Sequence, residues 1–439
     1  MESILILIFI LGYLAITLEH SLKIDKLIPA LSMMVLMWAV ISVAHLETFR
    51  VDDVLKALVP ADFNDMLLHH FGKTTEILIF LIGAMTIVEI IDYFDGFSAI
   101  KGFVKTKSKR KLIWVFCGIG FFLSAVIDNL TATIILISIL RKIIKSNELR
   151  VWYASLIVIA ANAGGAWSPI GDVTTTMLWI ANKVTALKLI EHLIIPSIVS
   201  LIVPLIIASF LPIFKGEISE AVVDATDASR HSKLMFYLGL GGIVFVPVFK
   251  TVTHLPPYLG MMLSLAVIAS VAEIISRRKI ELTTLEDVSV HVSPVHKSLS
   301  RIELPSVLFF LGILMAVAAL ESVGQLFLFS EWLSTTIPNL DIVVLILGAA
   351  SSIIDNVPLV AASIGMFQHG LDDMLWHFIA FSAGTGGSML IIGSAAGVVA
   401  MGMEKINFFW YFKNITWLAA AGFLAGALTF IIMRIFIFI

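Results

Sequence analysis

Long apolar runs separated by short polar segments occupy most of the 439-residue chain. Many of these runs approach or exceed the roughly 18–20 residues with which an α-helix crosses a bilayer. The alternation of apolar and polar positions that marks a membrane β-barrel is not seen. The pattern predicts an all-α, polytopic membrane protein. Because the apolar N-terminus has neither a basic leading segment nor a small-residue cleavage site, we expect a retained first helix rather than a signal peptide.

The apolar run over residues 112–141 is interrupted by Asp128 and Asn129. A carboxylate at membrane depth is costly and indicates a functional site. Lysines and arginines flank the run on both sides, and basic flanks favour the cytoplasmic face. The limb before Asp128 would be about 22 Å long as a helix, which is short of a hydrocarbon core of about 30 Å. We therefore predict a re-entrant hairpin with the Asp-Asn pair at its tip; one long tilted helix with a polar kink is the alternative.

The same pair returns at Asp355 and Asn356, inside the apolar segment 329–367. The flanks of this segment are acidic and carry no lysine or arginine. They are therefore expected on the other side of the membrane from the flanks of the first hairpin. This predicts a second re-entrant hairpin that enters from the opposite face.

Two further apolar segments are broken by glycine-rich sequences. Residues 152–181 carry a break between Asn162 and Asp172, and residues 376–401 carry a similar break before Ser394. Glycine and proline unwind a helix and leave backbone groups in need of partners. Such backbone survives at membrane depth only where protein buries it or where it lines a cavity. The breaks are therefore predicted to lie at a binding site.

The order of these motifs is repeated in the two halves of the chain. Residues 1–215 form the first predicted repeat and residues 234–439 the second, with a polar, acidic linker at 216–233. Each repeat is expected to contain about five transmembrane helices, one re-entrant hairpin and one broken helix. An odd number of spans inverts the second repeat relative to the first. Inverted-topology repeats with discontinuous helices are typical of secondary transporters, whose sites lie between the repeats near the midplane.

Composition agrees with this fold class and excludes several functions. The chain is 59% hydrophobic and 14% charged, against about 25% charged residues in soluble domains. Its single cysteine excludes an intrachain disulfide and a cysteine-based metal cage. The net charge of −3, without a basic domain, indicates no nucleic-acid partner. The mixed polar segment 45–72 is predicted to be a surface or amphipathic connector.

The polar residues at the tips and breaks are predicted to bind a small hard cation. Carboxylate, amide and hydroxyl oxygens suit Na⁺, and no lysine or arginine is expected in these cores to neutralise the aspartates. A buried carboxyl group without a partner tends to hold a proton, so that Na⁺ and H⁺ would compete for one site. Thr131 and Thr174 could instead be helix-packing residues. The candidate ligands are Asp128, Asn129, Thr131, Asn162, Asp172, Thr174, Asp355, Asn356, Ser388 and Ser394.

At these motifs the sequence resembles the NhaD-type sodium/proton antiporters of the ion-transporter superfamily, which also contains sodium-coupled dicarboxylate carriers. The carriers have Ser-Asn-Thr at their hairpin tips, whereas residues 128–131 here read Asp-Asn-Leu-Thr and residues 355–358 read Asp-Asn-Val-Pro. The aspartates point to the antiporter branch. The resemblance covers nearly the whole chain and implies cation sites where each tip meets its broken helix, a homodimer, and an elevator-like movement of the hairpins. Because Ser394 replaces an aspartate in the second half, its site is expected to bind more weakly or to serve a different step.

We therefore expect a secondary-active Na⁺(Li⁺)/H⁺ antiporter in a bacterial inner membrane. No enzymatic activity and no cofactor beyond the transported ions are expected, and the partners are membrane lipid, Na⁺ or Li⁺, and H⁺. A Na⁺-coupled symporter of an organic or inorganic anion is the alternative, although aspartates at the tips repel an anion. An intramembrane aspartyl protease is a third hypothesis, disfavoured because the chain lacks the Tyr-Asp motif that such enzymes carry. The sequence leaves open the roles of Glu76, Glu89, Glu303 and His69.

Overall fold

The structure is a computed structural model that describes residues 2–52, 57–101, 106–218, 229–283 and 293–437. Most of the linker predicted over 216–233, and part of the basic loop before the first hairpin, lie outside the described residues.

The elements of the first half are α1 (Glu2–Thr17), α2 (Glu19–Leu22), α3 (Leu27–Val43), β1 (Thr48–Asp52), β2 (Ala57–Ala61), α4 (Phe63–Tyr93), α5 (Ser98–Lys101), α6 (Lys109–Ser124), α7 (Asn129–Ile143), α8 (Asn147–Gly165), α9 (Val173–Ile180), α10 (Ala186–Ser209) and a 3₁₀ turn at Pro212–Phe214. Those of the second half are α11 (Arg230–Thr253), α12 (Pro257–Thr283), α13 (Pro294–Leu299), α14 (Leu304–Ser322), α15 (Gln325–Thr336), α16 (Leu340–Ala350), α17 (Asn356–Met366), α18 (Met374–Gly386), α19 (Ala395–Glu404), α20 (Phe408–Asn414) and α21 (Thr416–Phe436).

Helices that suit a membrane interior dominate this architecture. Six of the described helices are long and apolar enough to cross a bilayer, namely α4, α10, α11, α12, α14 and α21. Shorter apolar helices are α1, α3, α16, α17 and α19. A helix satisfies its own backbone hydrogen bonds, which is what the hydrocarbon region requires. The chain is a polytopic membrane protein that is almost entirely helical.

The segment 45–72, predicted to be a connector, contains regular secondary structure. Strands β1 and β2 pair antiparallel within it and form a two-stranded sheet. Helix α4 begins at Phe63 because the Asp62 carboxylate accepts hydrogen bonds at 2.9 and 3.2 Å from backbone N–H groups two and three residues further on. Such an N-cap satisfies amides that lack a partner within the helix. The polar first turns of α4 therefore belong to a helix of 31 residues.

Each Asp-Asn pair lies at the start of the second of two short helices, α6 and α7 in the first half and α16 and α17 in the second. The second pair of helices does not fill the predicted segment 329–367, because residues up to Thr336 belong to the separate helix α15. Pro338 lacks an N–H group and disfavours helical backbone in the residue before it. Asn339 then caps α16 by accepting a hydrogen bond from the backbone N–H of Asp341 at 3.0 Å.

The broken helices α8–α9 and α18–α19 pack against these short helices in the same way in both halves. The Ser124 hydroxyl donates a hydrogen bond to the Ala161 carbonyl at 2.6 Å, and the Ser351 hydroxyl donates one to the Ala383 carbonyl at 2.8 Å. These serines stand at corresponding places before the two Asp-Asn pairs. The two halves therefore repeat one packing unit.

Two glycines allow the backbones of this unit to approach closely. A Cβ atom at Gly164 would lie 2.1 Å from the Phe121 carbonyl oxygen, and one at Gly386 would lie 2.0 Å from the Gly348 carbonyl oxygen. No side chain can be accommodated at such a distance, so glycine is required at both positions.

The helices pack in two groups. Helices α1, α3, α4 and α11 to α14 pack on one another, and we call them the scaffold group. Helices α6 to α10, α16 to α19 and α21 also pack on one another, and we call them the hairpin group. The groups meet where α17 contacts α14 and where α9 contacts α4. The boundary between them is thus formed by the helices that begin at the hairpin tip and the helix break.

A buried carboxylate ties the hairpin group together. Glu404, at the end of α19, is 2% exposed. Its two oxygens accept hydrogen bonds from Nε of Arg141 at 2.7 Å and from Nε of Arg150 at 2.9 Å. Arg141 lies in α7 and Arg150 in α8. This ionic triad therefore joins the second half of the chain to the first hairpin and the first broken helix.

Candidate functional site

The four helices that begin at the hairpin tips and at the helix breaks each have a polar N-cap. Asp128 caps α7, Asp172 caps α9, Asp355 caps α17 and Ser394 caps α19, and each side chain accepts a hydrogen bond from a backbone N–H of the first turn. The N-terminus of a helix carries a partial positive charge. This charge stabilises a carboxylate far from bulk water, which explains how the fold accommodates three aspartates at membrane depth.

Asp172 joins the two hairpin tips. Its Oδ2 accepts a hydrogen bond from the Asn129 amide at 2.9 Å and another from the Asn356 amide at 3.1 Å. Its Oδ1 accepts one from the backbone N–H of Thr174 at 3.0 Å. All three side chains of this bridge are buried. The tips of the first and second halves therefore meet at one carboxylate, which belongs to the first half.

Asn162, which is fully buried, links the same centre to the second broken helix. Its Oδ1 accepts a hydrogen bond from the Asn129 amide at 3.0 Å. Its own amide donates to the hydroxyls of Ser388 and Ser394, both at 2.9 Å. The two halves are not equivalent here, because Ser394 occupies the position that Asp172 occupies in the first half.

Asp128 is bound mainly by its own helix. Its two oxygens accept hydrogen bonds from the backbone N–H of Thr131 at 2.8 Å and from the Thr131 hydroxyl at 2.7 Å. Thr131 is therefore committed to the N-cap. The neighbouring Asn129, and not Asp128, reaches Asp172.

Asp355 has a charged partner that the sequence analysis excluded. The ammonium Nζ of Lys26 lies 3.7 Å from Oδ2 of Asp355 and 4.5 Å from the ring centroid of Phe309. The expectation that no lysine or arginine neutralises the aspartates is therefore wrong for the second tip. Lys26 directly precedes α3, where a lysine resembles an ordinary residue at the end of a span. Its sequence position gives no signal of the pairing, which depends on how α3 and α17 pack.

The hydroxyl groups after the first break fall into two classes. The Thr175 hydroxyl donates to the Ser168 carbonyl at 2.6 Å, and the Thr176 hydroxyl donates to the Pro169 carbonyl at 2.9 Å. These bonds satisfy backbone groups that the break leaves without helical partners. The buried Thr174 hydroxyl differs, since it has no hydrogen-bond partner among the described residues.

A cavity of about 80 Å³ lies between the scaffold and hairpin groups. Its walls contain five of the ten predicted ligands, and these are Asp128, Asn129, Asp172, Asp355 and Asn356. The other five residues lie behind this wall or beside it. Since a cavity of about 10–15 Å³ already holds one water, there is room here for a small cation with part of its hydration shell.

A second, wider cavity of about 320 Å³ leads towards the Asp128 cap. Thr131 lies in its wall together with Glu89 and Glu303, two residues whose roles the sequence left open. The other charged residues that line it are Asp92, Asp95, Lys142 and Arg301. Glu76 and His69 do not line either cavity; both lie in α4.

Comparison with known proteins agrees with this architecture. The model of the citrate transporter family CitMHS matches residues 6–377. The structure is similar to the crystal structure of the YdaH transporter of Alcanivorax borkumensis, with a TM-score of 0.57 and 12% sequence identity. The similarity covers 93% of this chain and 97% of that chain. At this identity the likeness concerns the fold alone.

Similarity to named relatives is stronger. Sodium/proton antiporter 1 of Arabidopsis thaliana is 43% identical over 96% of this chain and 70% of its own length. Sodium/proton antiporter 2 of the same plant is 41% identical over 98% of this chain and 99% of its own length. The Na⁺/H⁺ antiporter NhaD of Vibrio cholerae is 33% identical over 90% of this chain and 84% of its own length. The chain therefore belongs to the citrate transporter family CitMHS and, within it, to the NhaD-type sodium/proton antiporters.

Proposed function

We propose that the protein is a secondary-active Na⁺(Li⁺)/H⁺ antiporter whose cation and proton compete for the carboxylates of the central cavity. The observation that carries this proposal is the bridge at Asp172, where amides from both hairpin tips converge on one carboxylate beside the cavity. The names of the relatives, which are sodium/proton antiporters, support the same function.

Rotation of two amide side chains would convert a cation-free site into a cation-bound one. In the arrangement described, Asn129 and Asn356 turn their NH₂ groups towards Asp172. A half-turn of either amide presents a carbonyl oxygen in place of the NH₂ group, since the two ends have the same shape and opposite hydrogen-bonding character. Together with Asp172, these oxygens form a ligand set suited to Na⁺ or Li⁺.

We assign different tasks to the ten predicted ligands. The five that line the cavity are proposed to contact the cation directly. The hydroxyls of Ser388 and Ser394 hold the amide of Asn162, whose oxygen holds the amide of Asn129. Thr131 holds the carboxylate of Asp128. These four residues are proposed to position the ligands. Thr174 contributes its backbone N–H to Asp172 and has a free hydroxyl in the described part of the chain.

Exchange follows from the cost of an uncompensated charge. A buried carboxylate without a partner is strongly unfavourable, so that an aspartate that lacks a charged partner carries either a metal cation or a proton when the site moves. Release of one ion then favours uptake of the other. The division into scaffold and hairpin groups supports an elevator-like movement in which the hairpin group carries the site across the membrane.

The runner-up function, Na⁺-coupled symport of an anion, fits the site less well. A helix N-terminus binds an anion through its free N–H groups. At this centre a side chain of the protein already caps each of the four helix starts, and three of these caps are aspartates. An anionic substrate would meet like charges in place of free donors.

We also propose that the protein resides in the inner membrane of a bacterium, forms a homodimer in the lipid bilayer and catalyses no chemical reaction. The membership of the family and the bacterial NhaD relatives support the first and last of these statements. The homodimer rests on the resemblance to the family alone.

Purified protein in proteoliposomes tests the function. With an imposed acidic interior and a pH-sensitive dye, addition of NaCl or LiCl should release the proton gradient, whereas choline chloride should not. The same measurement with a membrane-impermeant anion such as gluconate separates antiport from anion symport. A response that appears only when citrate or another carboxylate is added would refute antiport.

A further inference from the structure

Lys26 lines the central cavity beside the second hairpin tip. It is the residue directly before α3 of the scaffold group, and its ammonium is held between the carboxylate of Asp355 and the ring of Phe309. The Lys26 and Asp355 side chains are 27% and 17% exposed. The pair is therefore partly shielded from solvent, where ionic attraction is stronger than on an open surface.

Two features distinguish Lys26 from an ordinary lysine at the end of a span. Among the described residues that line the central cavity, it is the only basic one. Its ion pair also crosses the boundary between the groups, because Lys26 belongs to the scaffold group and Asp355 caps α17 of the hairpin group. The ion pair of Lys26 therefore depends both on whether a cation occupies the second hairpin tip and on where that tip lies relative to the scaffold group.

A transported cation and the Lys26 ammonium carry the same charge and require the same carboxylate. At separations of a few ångströms two like charges repel each other, and one carboxylate cannot fully neutralise both. Na⁺ that binds beside Asp355 must therefore displace the ammonium or weaken its contact. The free energy needed for that displacement makes the net free energy of cation binding less favourable.

We propose that Lys26 is a tethered counter-ion of Asp355, which pairs with the second hairpin tip while the site holds no transported cation and which Na⁺ or Li⁺ displaces on binding. This inference rests on the proposed antiport and deepens it. Lys26 thereby sets the apparent cation affinity and holds the empty hairpin group against the scaffold group. It acts through Asp355 and is a positioning residue, not a ligand.

The test compares variants of Lys26 with a matched variant of Lys23. Lys26→Met removes the charge and keeps an apolar stem over Phe309, and Lys26→Gln keeps a polar end should the first variant fold poorly. Lys23→Met removes the same charge three residues away at an exposed position. Lys26→Arg retains the positive charge. For each, Na⁺-dependent proton movement in proteoliposomes at one pH and constant ionic strength gives the half-saturating Na⁺ concentration and the maximal rate.

Loss of the charge at Lys26 should lower the half-saturating Na⁺ concentration by about two- to fivefold, the range for a partly exposed ion pair. Lys23→Met and Lys26→Arg should stay near the wild-type value. A purely structural role would instead lower the maximal rate and leave half-saturation unchanged. The inference is overturned if Lys26→Met and Lys26→Gln have the half-saturation of Lys23→Met, or if Lys26→Arg resembles Lys26→Met.

A binding measurement separates this inference from the proposed function. The Na⁺ concentration that half-maximally stabilises the detergent-purified protein against heat reports binding without transport. Should the wild type move no protons while Lys26→Met still shifts this concentration, antiport fails and the role of Lys26 stands. A second outcome is that the wild type exchanges ions while Lys26→Met changes neither the half-saturating Na⁺ concentration for exchange nor the Na⁺ concentration for half-maximal stabilisation. In that case the role of Lys26 fails and antiport stands. A wild type that neither binds Na⁺ nor exchanges it overturns both.

Discussion

Replacement of Asp172 by asparagine separates the stability of the central site from its function. The carboxylate accepts hydrogen bonds from three donors, which are the amides of Asn129 and Asn356 and the backbone N–H of Thr174. The amide that replaces it has one oxygen and one NH₂ group in the same shape. At least one donor then loses its acceptor, at a net cost of about 1 kcal/mol. Removal of a buried charge offsets part of this cost.

The effect on cation binding should be much larger than the effect on stability. A polar interaction with a charged group typically contributes about 1.5–3 kcal/mol. Loss of one such interaction between Asp172 and Na⁺ would weaken Na⁺ binding by roughly 10- to 150-fold. We expect Asp172→Asn to raise the half-saturating Na⁺ concentration for exchange in proteoliposomes by this factor. Na⁺ at about 100 times the wild-type dissociation constant stabilises the wild type by about 2.7 kcal/mol, and the same concentration should stabilise the variant by only about 0.3–1.4 kcal/mol.

The control is Asp65→Asn, the same chemical change at an exposed position in the first turn of α4. It should retain both exchange and stabilisation by Na⁺. Thermal unfolding without Na⁺ should be nearly equal in the two variants. If Asp172→Asn exchanges Na⁺ for H⁺ with a half-saturating concentration within about threefold of the wild type, then the carboxylate at which both tips converge is not a cation ligand.

The other predictions concern the remaining carboxylates and the packing of the hairpin group. Asp128→Asn and Asp355→Asn should each abolish exchange in the vesicle assay while the protein remains folded in the membrane; normal exchange by both would reject them as ligands. Glu404→Ala should lower the free energy of unfolding by about 1.5–3 kcal/mol, because two arginines that are 44% and 19% exposed lose their shared acceptor, and the loss should appear as a lower thermal midpoint in detergent. Gly164→Ala should prevent accumulation of folded protein, whereas Gly118→Ala, whose Cβ would meet nothing within 4 Å, should be tolerated; equal yields in size-exclusion chromatography would contradict the close approach.

Local features of the sequence were sufficient to locate the two Asp-Asn helix pairs and the two helix breaks, whereas the re-entrant path of each pair stays a prediction. An Asp-Asn pair in an apolar run is conspicuous because charge is rare at membrane depth, and glycine-rich breaks are conspicuous because glycine destabilises the interior of a helix. The start of α16 could also have been found from Pro338 and Asn339, which end one helix and cap the next. These signals are local, so that a single sequence is enough to detect them.

Contacts between distant elements could not be predicted in this way. The amide of Asn162 binds Ser388 and Ser394 because two broken helices cross, and nothing in the sequence near Asn162 specifies that crossing. The pairing of Lys26 with Asp355 likewise depends on the packing of the scaffold group against the hairpin group. The roles of the ten polar residues as ligands, or as residues that position ligands, stay a prediction, because the positions of side chains do not show where an ion binds.

The bridge at Asp172 has a consequence for the order in which the protein is made. Its carboxylate and Asn162 are synthesised with the first half, whereas Asn356, Ser388 and Ser394 are synthesised with the second. During translation, the first half enters the membrane with buried polar groups whose partners do not yet exist. The binding centre is completed only when the last hairpin and the last broken helix have been inserted. The most polar point of the protein therefore cannot be completed before residue Ser394 has been made.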